Sequence, residues 1–344
     1  MITDMKQKVF FLIIFFLFHS HTASAQYWSV WQKTHTITLG LSQDEKWAFF
    51  MQKNDAGITN IYKVELKTNA VTPVTNFTDR PVLCGIILLG KSPAVVYARA
   101  ATAKGDDVHL YRINVLTTDP PVDFTAKDGT SSKQILGLAY NGRYVYYLSD
   151  KGAGSHKDTY RYDTQQYITE LAFANDKDFE TLCWDREQTH LLLRDPKTLN
   201  VYNYNIETTD KQKIELPFVG DELKTAFYDP MNVSFYMISK GNQLALGKVT
   251  PENGGDVSTV ASWGGILAVN LSLSGKYFHT ILKDSEKIMD AATNFFVPLP
   301  EQSFDLVIAP KETSILYLRV DGGATKLYLY DIGKKTSKEL TTIK

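Results

Sequence analysis

The pattern of apolar and polar positions along the chain has two distinct parts. Lys6 and Lys8 precede an unbroken apolar run, Val9–Phe18, which is followed by Ala23-Ser24-Ala25 and Gln26. A basic start, a short apolar middle and an A-x-A site are the parts of a secretory signal peptide, whereas a membrane span needs about 20 apolar residues. We therefore expect residues 1–25 to be a signal peptide cleaved after Ala25. A single domain is expected over residues 26–344, periplasmic or secreted, with no later span.

From residue 39 onward the pattern is short, alternating and repeated. Residues 39–75 read as an apolar stretch ending at Ser42, a turn at Gln43-Asp44-Glu45, and a strand at Trp47–Met51. A Gly/Asn/Asp loop then leads to the period-two run Asn60–Leu66, a turn at Lys67–Asn69 and a last piece at Val71–Thr75. Period-two alternation bounded by turn residues is the mark of short half-buried strands, so this unit predicts one four-stranded antiparallel sheet.

The same order recurs. Second-strand runs fall at Trp47–Met51, Val95–Arg99, Tyr144–Leu148, Leu191–Arg194, Ser234–Ile238, Tyr277–Leu282 and Ile315–Arg319. Third strands begin near Ile61, Leu110, Thr159, Val201, Leu244, Ile288 and Leu327, spaced 39 to 49 residues apart. That is close to the period at which propeller blades repeat. The expected fold is all-β: a seven-bladed β-propeller of four-stranded antiparallel blades. Unit six (roughly 266–303) is degraded, its third strand, Glu286–Ala292, being weakly β-forming, which leaves six or eight blades as alternative counts. Helix should be scarce, because no long window holds a 3.6-residue period.

A four-stranded twisted sheet cannot bury both faces alone; radial packing of such sheets buries the faces and leaves short, protected edges. One residue from each second strand (Phe49, Tyr97, Tyr146, Leu192, Tyr236, Phe278 and Leu316) is expected to pack between blades. The 19 Tyr and 18 Phe suit wedge-shaped gaps of this kind.

The first unit resembles the repeat of the TolB-type, WD40-like bacterial propellers. Ser42, Asp44 and Lys46-Trp47 match its S-x-D-x-K-φ turn, Asn60-Ile61-Tyr62 its third-strand N-I-Y, and Thr68 and Thr75 the threonines near its end. Unit seven keeps Lys326-Leu327-Tyr328 and Asp331, and units four to six keep only the pattern. The resemblance implies the fold and a periplasmic binding or scaffold role, and it carries no catalytic residue.

Composition narrows the partners. Lys and Arg number 37 against 38 Asp and Glu, so no long-range field favours nucleic acid or an anionic membrane surface. Cys84 and Cys183 fall in non-adjacent units and are read as free thiols, since a disulfide needs Cα atoms about 4.4 to 6.8 Å apart. No G-x-S-x-G elbow of a serine hydrolase is present. No pair among His35, His109, His156, His190 and His279 has i, i+2 or i, i+4 spacing. We therefore assign no catalytic residue, no metal ligand and no cofactor. The acceptor pattern N-x-S/T at Asn76, Asn232 and Asn270 is read as chance.

On a rigid scaffold, loops carry recognition. The second-to-third-strand loops of units two and three (AATAKGDD and DKGAGSHKD) are long, polar and in adjacent units. They bring Lys104, Asp106, Asp107, Lys151, His156, Lys157 and Asp158 into one candidate patch for a protein or polar ligand. The functional expectation is a non-catalytic binding or scaffold module whose partner is another envelope or secreted protein, or a polar ligand. The alternative is a propeller-fold lyase or hydrolase acting on a polysaccharide through channel-lining residues.

Overall fold

The computed structural model describes residues 39–343, apart from 79–81, 84–87, 90–94, 102–107, 118, 129–132, 139–142, 152–156, 186–187, 216–222, 229–233, 241–242, 251–253, 263–265, 273–275 and 283–284. The expected signal peptide, residues 1–25, and Cys84 lie outside these residues. The chain is all-β, and the only helical piece among the described residues is a single 3-10 turn, Ala126–Asp128.

Strands pair with their neighbours in chain order, always antiparallel, in seven sheets among the described residues. Sheet 1 is Leu39–Leu41, Trp47–Lys53, Thr59–Glu65 and Val71–Pro73. In sheet 2 the first strand is split into Val82–Leu83 and Leu88–Leu89, both paired with Val95–Ala101, and Val108–Asn114 and Val122–Asp123 follow. Sheet 3 is Lys133–Leu138, Tyr144–Ser149, Asp158–Asp163 and Ile168–Phe173. Sheet 4 is Glu180–Trp184, His190–Arg194, Val201–Asn205 and Lys211–Ile214. Sheet 5 spans 223–262, and sheet 7 runs from Phe304–Ile308 to Thr336–Ile343, each with four strands. Sheet 6 has three strands, and its fourth is reduced to the bridge between Met289 and Phe296. The weakened sixth unit of the sequence is thus a real weakening, but it falls on the fourth strand; the third, Glu286–Asp290, forms.

The turns repeat more faithfully than the sequence does. Where first strand meets second, Ser42 N donates to Trp47 O, Asp185 N to His190 O, Ser272 N to Tyr277 O and Ala309 N to Ser314 O, each over five residues at 2.8 to 3.1 Å. In sheet 1 the Ser42 hydroxyl donates to Asp44 Oδ1 at 2.7 Å and accepts from the N–H of Lys46 and Trp47. That geometry is the physical content of the S-x-D-x-K-φ pattern: a short side chain satisfies N–H groups that the tight turn leaves unpaired.

Where third strand meets fourth, a second turn recurs. Asn69, Tyr167, Thr209, Asn294 and Lys335 each have φ between 56° and 63° and donate their N–H to the carbonyl four residues back. Asp163, Asn205 and Asp290 brace this turn by accepting two backbone N–H groups apiece on Oδ1. Residue types other than glycine are strained in this left-handed region, and the bracing offsets that cost.

The core lies between sheets. Phe49 and Ile61 of sheet 1 meet Ile113 and Val115 beside sheet 2. Leu110 of sheet 2 meets Val145, Tyr147 and Tyr160 of sheet 3. Tyr146 and Leu148 of sheet 3 meet Trp184, Leu191 and Leu193 of sheet 4. The first strands of sheets 4 and 5, and of 5 and 6, lie against each other. Tyr277 and Ile288 of sheet 6 meet Ile315, Tyr317 and Tyr328 of sheet 7. Finally Leu39, Leu41 and Phe50 of sheet 1 meet Leu316, Leu318 and Leu340 of sheet 7, so the last sheet packs on the first. Of the residues expected between blades, Phe49, Tyr146, Leu192, Phe278 and Leu316 are buried. The side chains of Tyr97 and Tyr236 lie outside the description. Cys183 is a free, buried thiol.

Candidate functional site

The described ends of the two candidate loops, Ala101 and Val108 in sheet 2 and Lys151, Lys157 and Asp158 in sheet 3, belong to sheets adjacent in chain order. Lys104, Asp106, Asp107 and His156 lie outside the described residues. The structure does place the stems of both loops and the remaining three residues of the patch.

One polar row crosses that end of sheet 3. Lys133 opens the first strand and pairs with Ser149 at the end of the second, and Ser149 pairs with Asp158 at the start of the third. All three are buried. A buried ammonium is costly unless bonded, and Lys133 Nζ crosses the seam to donate to Val108 O of sheet 2 at 2.7 Å. The lysine therefore joins two sheets at the foot of the two loops.

Asp158 is held inward for a reason that sheet 1 makes visible. There Asn60 is the second residue of the third strand, and its Oδ1 accepts from Thr75 Oγ1 at 2.8 Å and Phe77 N at 2.7 Å; Ile61 N donates to Thr75 Oγ1 at 2.9 Å. Sheet 2 repeats the contact, with Leu110 N donating to Thr125 Oγ1 at 3.0 Å. In sheet 3 Asp158 takes the role of Asn60: its Oδ1 accepts from Asn175 N at 2.7 Å, seventeen residues on, as Phe77 is from Asn60. The Lys157 carbonyl accepts from Asn175 Nδ2 at 3.1 Å. Asp158 thereby ties the exit of the fourth strand to the third.

Lys151 holds the loop stem from the other side. Its ammonium donates to Asp128 Oδ1 at 2.7 Å and lies 4.1 Å from the Tyr160 ring centroid. Tyr147 Oη donates to the other Asp128 oxygen at 3.3 Å. Burial pushes the Tyr160 hydroxyl up to about 12, with the charges of Asp158 and Asp128 adding to it. Burial, and then the Asp128 charge, also pushes Tyr147 far above the ordinary phenol range. Both phenols are therefore hydrogen-bond donors at neutral pH and not bases. Lys133, Asp128 and Tyr147 were not singled out by sequence reasoning; a lysine at the head of an alternating strand reads as solvent-facing until the neighbouring sheet is in place.

The histidines on strands are dispersed, each with its own carboxylate. His109 Nδ1 contacts Asp123 Oδ2 in sheet 2. His190 Nδ1 lies 3.2 Å from Asp185 Oδ2 in sheet 4, and His279 Nε2 lies 3.3 Å from Glu286 Oε2 in sheet 6. Among the described residues, no three of His, Cys, Asp and Glu gather in a way that would hold a metal ion. Burial raises the Cys183 thiol well above its ordinary value, so it is a packing residue and not a nucleophile. Among the described residues no helix is long and apolar enough to cross a membrane.

No family model matches the chain, and no curated protein sequence matches it. Its architecture does match solved propeller structures. An oligogalacturonate lyase in complex with manganese superposes with a TM-score of 0.62 at 12% identity, covering 90% of this chain and 89% of the lyase. TolB from Acinetobacter baumannii gives 0.51 at 12% identity, covering 85% and 79%. A puromycin-hydrolyzing peptidase from Mycobacterium tuberculosis gives 0.61 at 10% identity, covering 93% of this chain but 57% of the peptidase. At these identities the likeness shows the fold alone, a TolB-like propeller.

Proposed function

We propose that the protein is an exported, non-catalytic binding or scaffold module, a closed ring of seven blades. In this reading it recognises another envelope or secreted protein, or a polar ligand, through the loops of sheets 2 and 3. The signal segment 1–25 directs the chain out of the cytoplasm and is cleaved after Ala25. The packing of each sheet on the next, and of the last on the first, supports the ring.

The observation that carries the binding site is the Lys151–Asp128 pair. It fastens the stem of the 150–157 loop in sheet 3 to the turn leaving sheet 2. A stem fixed in this way lowers the entropy lost when a partner binds there. Lys104, Asp106, Asp107, His156 and Lys157 supply charges of both signs, suited to a partner surface of mixed polarity. The test is capture of the partner by residues 26–344 and by the variant K104A/D107A/H156A/K157A; the variant should lose capture and keep its melting temperature.

A second reading has a specific basis of its own. The lyase likeness covers about nine-tenths of both chains, which supports a polysaccharide lyase or hydrolase acting through channel-lining residues. Turnover of polygalacturonate or another acidic polysaccharide, with manganese supplied, would establish that reading and displace the first.

A further inference from the structure

Exposed large apolar side chains are unevenly placed among the described residues. Leu116, Val122, Tyr167, Ile168 and Leu171 all belong to sheets 2 and 3 or to the turns that leave their third strands. Register shows which of them share a space. Arg112 pairs with Val122, so both stand on one face of sheet 2, the face that carries Leu110 against sheet 3. Leu171 pairs with Tyr160, and Tyr160 and Tyr162 pack toward sheet 2, where Phe124 stacks on Tyr162 with centroids 4.3 Å apart. The Arg112 guanidinium crosses to sheet 3 and lies 5.6 Å from the Tyr167 ring centroid. Arg112, Val122, Tyr167 and Leu171 therefore line the outer side of one seam.

Two features of this face are not explained by the fold. Arg143, Arg161, Arg194 and Arg319 each pair with a carboxylate, whereas half-buried Arg112 has none among the described residues. Tyr167 has φ 59°, a left-handed conformation that strains a bulky residue. The equivalent turns of sheets 1 and 6 hold Asn69 and Asn294, a residue type that tolerates it. The Tyr167 ring is 62% exposed, so burial does not offset the strain. Backbone strain of this kind is characteristic of functional positions.

The chemistry of the face selects its occupant. A guanidinium without a carboxylate calls for one, and arginine binds the planar group with two parallel hydrogen bonds. Val122 and Leu171 offer no hydrogen bond, which suits the apolar side chains of a protein and not the hydroxyls of a saccharide. The exposed residues follow the fourth strands Val122–Asp123 and Ile168–Phe173, so the occupant is linear.

We propose that the outer side of the seam between sheets 2 and 3 docks an extended protein segment that sets a carboxylate between apolar side chains. The carboxylate pairs with Arg112, and the apolar neighbours cover Tyr167, Val122 and Leu171. Tyr167 lies at the far end of the third strand from the 150–157 loop, so this surface is separate from the recognition loops and does not depend on the function proposed for them.

The test is selection from a random-peptide library displayed on phage, panned on the purified protein, with the selected peptides then titrated against variants. Enriched peptides should carry an Asp or Glu flanked by apolar residues, and Arg112→Gln and Tyr167→Asn should each weaken their binding about tenfold or more. Replacing the peptide's carboxylate by its amide should do the same. Y167N should melt no lower than wild type, because asparagine suits the turn, and K104A/D107A/H156A/K157A should bind the peptides as wild type does. No enrichment, peptides without an acidic residue, binding that survives R112Q or Y167N, or loss of binding in the loop variant would overturn the proposal. A lower melting temperature for Y167N would make the ring a packing residue, and a dimer that Y167N dissolves would make the occupant a second copy of this chain; either would overturn it too.

Discussion

The ammonium of Lys338, on the last strand, donates to the carbonyl of Leu66 in the first sheet at 2.7 Å, across 272 positions of sequence. Asn69 Nδ2 reaches the carbonyl of Glu339 at 3.2 Å, and Lys311 N donates to Glu45 Oε1 at 2.7 Å. These polar ties fringe the apolar contact of Leu316, Leu318 and Leu340 with Leu39, Leu41 and Phe50. Their net strength is small because they are exposed; the apolar seam supplies the closing energy.

Leu316→Ala should therefore weaken closure directly. The side chain is fully buried in that seam, and truncating a buried leucine costs about 2–5 kcal/mol. Urea denaturation should show a lower midpoint. An exposed control such as Val320→Ala should leave the midpoint nearly unchanged.

Ser42→Ala isolates the first-to-second-strand turn. The loss of an acceptor for two backbone N–H groups should cost about 1–2 kcal/mol. The turn itself should survive, because sheet 7 forms the same backbone turn around Ala309, which has no hydroxyl. The check is a thermal melt alongside an unchanged circular dichroism spectrum.

Asp163 supplies a pH dependence. Burial acts to raise its carboxyl, but the backbone N–H groups of Gln166 and Gln165 and the Arg143 guanidinium outweigh burial and hold it below 3.8. A depressed folded value means that the unfolded chain binds the proton more readily. The stabilisation is therefore complete above the ordinary carboxylate range and is lost as pH falls through the folded value. Asp163→Asn removes the titrating group, so the stability gap between wild type and variant should be constant above about pH 5 and shrink below about pH 4. Urea midpoints measured across that range check it.

Cys183 should be chemically silent in the folded protein. In a Cys84→Ser background, the native chain should not react with a thiol reagent, and one equivalent should react after denaturation. Rapid native labelling would mean that the first strand of sheet 4 is open to solvent.

Much of this fold was legible in the sequence. The second-strand runs at Trp47–Met51, Tyr144–Leu148 and Tyr277–Leu282 lie within strands Trp47–Lys53, Tyr144–Ser149 and Tyr277–Leu282. Alternation and turn residues are local properties, and local order fixes these strands. The first strands were less distinct. They lie where neighbouring sheets converge, so their alternation is overwritten by burial on both faces, as in Thr181-Leu182-Cys183-Trp184.

The site was legible only in outline. Asp158 was visible as a loop charge, yet its role follows from equivalence to Asn60, and the equivalence rests on hydrogen bonds seventeen residues long. Lys133 and Asp128 gain their meaning from contacts between sheets, which no single repeat encodes.

The measurement that tests the central claim most directly is affinity capture from envelope extract with residues 26–344 and with K104A/D107A/H156A/K157A, with metal analysis of the same purified samples. The account predicts a stoichiometric partner that the wild-type chain holds and the variant loses at an unchanged melting temperature. Equal capture by both proteins, or a tightly held metal accompanied by polysaccharide turnover, would contradict it.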